Sequence, residues 1–115
     1  MSWMLLIVEP RGQRALRSEE QGRGLYQRML DYGEHLQQQG LLLASNSLRE
    51  AATRVQRRDG RPQLIDGPFT ESKELVGGFY LIDCESREQA LQIAAACPAA
   101  EWASVEVREV APCYE

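Results

Sequence analysis

The residues best suited to chemistry lie in one short run, Asp66-Gly67-Pro68-Phe69-Thr70-Glu71-Ser72-Lys73-Glu74. Asp66 precedes Gly-Pro, a context in which an aspartate bonds its own backbone two residues on and shapes a turn. A carboxylate oriented there by a nearby donor would serve instead as a general base or a ligand anchor. Glu71, Lys73 and Glu74 put three charges within four positions. On an open surface these are solubilising charges. In a pocket, Lys73 would hold an anionic substrate while Glu71 or Glu74 acts as acid or base, and loops of compact domains often carry such groups. Phe69 is expected to plug the core beneath them. The expected ligand-binding set is therefore Asp66, Phe69, Glu71, Lys73 and Glu74, with Asp66, Glu71 and Lys73 as the catalytic candidates.

Other chemistries find little support. Cys84, Cys97 and Cys113 are an odd number at wide spacing, which suits free thiols in a reducing compartment. His35 is the only histidine, so no closely spaced ligand set for a metal exists. No phosphate loop or nucleophile elbow is present, and no cofactor is expected. The net charge of -4 argues against nucleic acid, which demands clustered positive charge. Arg54, Arg57, Arg58 and Arg61 are a local exception, but Asp59 interrupts them and no aromatic interleaves them, so they read as a solvated hairpin surface. The apolar run Trp3 to Val8 is far shorter than the ~20 residues of a membrane span and lacks the basic leader of a signal peptide. A cytoplasmic protein is expected.

The elements that must position these groups follow from periodicity. A chain of 115 residues has the size of one domain, 1–115, able to bury roughly two thirds of its unfolded surface. Residues 3–8 are continuously apolar and read as a strand. Residues 10–24 are loop and helix entry, with Ser18 and Gln21 spaced as a capping box. Leu25, Met29, Tyr32 and Leu36 recur at helical spacing, and Gly40 is a natural stop. Leu41 to Ala44 begins a second strand. Thr53 to Arg58 and Arg61 to Ile65 flank Asp59-Gly60, a tight-turn pair, and predict a β-hairpin. Leu75 to Cys84 is a strand carrying Gly77-Gly78, a pair that marks a bulge or a close backbone approach. Ser86 and Gln89 open a second helix as another capping box; Ala90, Leu91, Ala94 and Cys97 are its packed stripe, and Pro98 ends it. Trp102 to Val110 alternates as a last strand, with Glu106 and Arg108 on its polar face expected to form cross-strand ion pairs. Tyr26, Tyr32 and Tyr80 are expected to pack the core with their hydroxyls satisfied, or to line a cavity.

The order is β-α-β-(hairpin)-β-α-β, an α+β ferredoxin-like pattern with an inserted hairpin. Two helices cover only one face of the resulting sheet. A bare apolar face is costly in a soluble monomer, so a homodimer packed sheet to sheet is expected, with any small-molecule cavity at the sheet's mouth beside residues 66–74.

The stretch DGPFTESKELVGGFYLIDCES, followed by EQAL and the ending VEVREV, resembles the DGPF branch of the YCII-related family, from MLLIVE near the start to Val110. The resemblance implies a ferredoxin-like dimeric α+β barrel. It also implies a His-Asp pair, the histidine in the first helix and the aspartate just before the proline that ends the second. Those positions fall at Met29 and Cys97 here, so the pair is absent. His35 lies about a turn and a half further along the helix and faces elsewhere. Proteins of this branch accompany extracytoplasmic-function sigma factors, which implies a sigma factor as a regulatory partner. Three readings follow: a small-molecule-binding dimer, an acid-base enzyme on a small anionic compound, and a regulatory partner domain.

Overall fold

The computed structural model describes residues 1–115. β1 (Ser2–Pro10) is followed by α1 (Glu19–Gln38), β2 (Leu42–Ser47), β3 (Thr53–Arg58), β4 (Arg61–Asp66), β5 (Glu74–Asp83), α2 (Arg87–Ala96) and β6 (Ser104–Glu109). Four strands form an antiparallel sheet in the order β2-β5-β1-β6, while β3 and β4 form a separate two-stranded sheet. This is the α+β arrangement expected, with the hairpin set outside the main sheet.

Local chemistry explains the boundaries. Ser18 accepts from the backbone N–H of Gln21, and the Gln21 side chain accepts from that of Ser18, so the capping box forms in full. That nucleus starts α1 at Glu19 and carries Gly22 and Gly24 inside the helix, where sequence alone reads them as its approach. Gly40 ends α1 with φ +73°, a conformation natural to glycine. Ser86 caps α2 through the Gln89 N–H, but the Gln89 side chain accepts from Glu85, so only half of a capping box forms there. Asp59 and Gly60 both take positive φ, which fixes the β3–β4 register.

The core lies between the sheet and the two helices. Trp3, Leu5 and Ile7 point into it from β1 and Tyr80 and Ile82 from β5, meeting Leu36 of α1 and Ala90, Ile93 and Cys97 at α2. Met4 and Leu6 alternate to the reverse face, where Phe79 and Leu81 lie directly opposite in register, and no element of the chain covers them. Glu106 and Arg108 share that reverse face opposite Leu6 and Met4, and neither makes an ion pair. No helix is long and apolar enough to cross a membrane.

Candidate functional site

Glu9 is the one buried charged residue, only 5% exposed at the end of β1. Charge at such a depth demands a partner. Arg14, on a short turn at Arg14–Leu16, supplies it at 2.5 Å to Oε1. Arg14 also donates to the carbonyls of Leu48 (2.8 Å) and Gly77 (3.3 Å), so its guanidinium is held from three sides. The pair fits because position 77 has no side chain. A Cβ there would press on the Glu9 carboxyl carbon and on Arg14 Nη2, each at 2.8 Å. β1 and β5 shift register at this point, between Ile7 and Val8, and the resulting bulge gives Gly77 its place beside Glu9.

The Glu9–Arg14 pair forms one end of a cleft of about 650 Å³ between the first half of α1 and the sheet. Ile7, Gly78 and Tyr80 make part of its floor, and Gly22, Tyr26 and Met29 line it from α1. Ser45 and Ser47 of β2 and Arg17 add polar groups that form no side-chain hydrogen bond or ion pair with the rest of the chain. Glu9 Oε2 likewise accepts no hydrogen bond. The cleft thus combines an apolar wall with a fixed carboxylate oxygen, a free guanidinium and two hydroxyls. It is suited to holding a small molecule with a hydrogen-bond donor for Glu9 and an acceptor for Arg17 or the serines.

Two phenols fasten the elements around the cleft, Tyr80 in its floor and Tyr32 outside its lining. The Tyr80 hydroxyl donates to the Met29 carbonyl at 2.5 Å, and that of Tyr32 donates to the Ile93 carbonyl at 2.6 Å. Burial, with the nearby Cys97 adding to it, pushes Tyr32 up to about 12 and Tyr80 further up. Burial also raises the Cys97 thiol, which favours the protonated, unreactive form. Met29 and Cys97 thus serve packing and not acid-base work, while His35 is exposed and stacks obliquely beside Tyr32.

The run 66–74 is assembled differently. Asp66 is exposed at the end of β4 and accepts from Thr53 Oγ1 at 2.7 Å. Phe69 is buried, with the Arg54 guanidinium 3.7 Å over its ring. Glu71 is exposed and pairs with Arg54 at 2.8 Å. Its carboxyl is held below the usual range by its own backbone N–H and then by Arg54. The exposed Lys73 side chain makes no hydrogen bond, and its carbonyl accepts from Arg11 N–H. Phe69 and Glu74 line a smaller cleft of about 480 Å³ with Arg11, Arg49 and Arg54; Asp66, Glu71 and Lys73 line neither cleft. The structure therefore brings Phe69 and Glu74 to one cavity and leaves the other three apart.

Glu9 and Arg14 escape a reading of the sequence. Glu9-Pro10 looks like the polar end of a strand. The signal present is a carboxylate closing an uninterrupted apolar run, with an arginine five residues on.

A model of the YCII-related domain matches residues 1–113. The chain belongs to the YCII-related family. A 44-residue stretch of it is 48% identical to an uncharacterised protein of Rhizobium meliloti (strain 1021). That stretch covers 38% of this chain and 36% of the relative, little more than a third of the protein it matches. The buried carboxylate of this chain is Glu9, paired with the partly exposed Arg14.

Proposed function

We propose that this chain, as a member of the DGPF branch, binds a small polar organic molecule in the cleft between α1 and the sheet, and works as a homodimer. The observation that carries the reading is the cleft itself, about 650 Å³ with a buried carboxylate at one end. That volume lies within the range of small-molecule sites, and the mixture of apolar wall and few fixed polar groups is what such sites use. Of the 66–74 segment, Phe69, Ser72 and Glu74 line the separate, smaller cleft and none lines this one. The uncovered face of Met4, Leu6, Phe79 and Leu81 favours a second copy as partner.

A blocking substitution tests the site. Gly22 lines the cleft, and nothing lies within 4 Å of an added Cβ, so the backbone there has room for a side chain and Gly22→Trp is expected to occupy the cleft. A library of small carboxylic acids bearing hydroxyl or amino groups, screened by NMR shift mapping, is expected to yield binders that perturb Ile7, Gly78 and Tyr26. Gly22→Trp is expected to weaken them at least tenfold. Binders that ignore the substitution, or a library without any binder, would remove this reading.

A further inference from the structure

The isolated chain exposes too much surface. Its accessible area is 8173 Å², whereas a compact monomer of 13.0 kDa exposes about 6,300 Å². Its radius of gyration is 16.0 Å, against about 13 Å for a compact chain of this length. The excess, roughly 1,800 Å², is more than twice the ~800 Å² that each partner contributes to a standard interface. The bare sheet face does not account for it. Four strands spaced ~4.8 Å apart and ~20–30 Å long present roughly 400–550 Å² in projection.

The remainder points to the β3–β4 hairpin. It pairs with no strand of the main sheet. A hairpin alone is marginally stable in water and needs a surface to pack on. Val55 and Leu64 face each other across it and are 66% and 68% exposed; Ile65, on its other side, is 43% exposed. Only its root is tied down, by the Gly67 N–H donating to Ala52 and by the Arg54–Phe69 and Arg54–Glu71 contacts. Charge indicates what it meets. Arg54, Arg57, Arg58 and Arg61 against Asp59 and Asp66 give the hairpin a net charge of +2, so with a total of -4 the rest of the chain has a net charge of -6. The body of a second copy therefore attracts the hairpin, and a two-fold axis satisfies both hairpins at once.

We infer that the β3–β4 hairpin is a docking arm whose Val55–Leu64 face packs on the body of a second copy of this chain. The inference rests on the homodimer reading, and its test separates the two. Sedimentation velocity is expected to show a dimer for the unaltered chain. The paired substitution Val55→Ser with Leu64→Ser is expected to raise the dimer dissociation constant at least tenfold, and added salt is expected to weaken the unaltered dimer. A monomer at 100 µM would overturn both readings. A dimer as tight with the serines as without them would overturn the arm alone. Should the substituted chain fail to fold, hydrogen exchange on the unaltered chain decides. Amides of residues 55–64 are expected to be protected at high concentration and to lose that protection on dilution. Protection that does not depend on concentration would overturn the arm.

Discussion

At the scale of single residues, Gly77 controls the polar end of the cleft. Any side chain there competes with the Glu9 carboxyl for the same space, and Arg14 then loses its anchor. Separating a largely buried carboxylate from its guanidinium leaves a charge without compensation. Gly77→Ala is expected to cost about 1–3 kcal/mol in urea unfolding, within the range of disrupted buried polar pairs. In a Glu9→Ala background most of that cost should vanish, because the obstacle has been removed. A full cost in both backgrounds would show that Gly77 is needed for the strand itself and not for the ion pair.

At the scale of elements, α1 is fastened by its neighbours' and its own phenols. Tyr80 ties β5 to α1 through the Met29 carbonyl, and Tyr32 ties α1 to the carbonyl of Ile93 in α2. Tyr32 is raised from 10.0 to about 12 in the folded chain, so the unfolded chain loses its phenolic proton first as pH rises. The unfolded state then binds fewer protons, and stability falls with increasing pH. The contribution is intact below pH 10 and is lost progressively toward pH 12. Thermal melts are expected to decline across that window, and Tyr32→Phe is expected to flatten part of the decline. An unchanged slope would mean that α1 is held by apolar packing alone. The helices, the hairpin and the last strand were legible because caps, turn glycines and alternation are local signals, as at Ser18, Asp59-Gly60 and Val105 to Arg108. The cleft was not. It depends on a carboxylate and an arginine meeting across a bulge, and on glycines that leave space only once β5 lies beside β1. The charges of 66–74 were legible as charges, but their partners, Thr53 for Asp66 and Arg54 for Glu71, are set by the hairpin's placement.

At the scale of the whole molecule, the chain is a plate 19 Å thick and 47 by 42 Å across. One layer of helices and one sheet fill that thickness, and the apolar reverse face is left over. A second copy binding the folded form raises its stability by mass action. The melting temperature is expected to rise by several degrees between about 1 and 100 µM chain. A melting temperature independent of concentration would show that the plate is stable alone.

The strand order carries a consequence for synthesis. β1 lies in the interior of the sheet, yet both its neighbours come late, β5 from residue 74 and β6 from residue 104. On the ribosome the first strand emerges with two unpaired edges and an apolar body. At ~5–20 residues per second it waits for seconds before either edge is closed. During that time the nascent segment SWMLLIVEP is the part of the chain most in need of a chaperone's shelter.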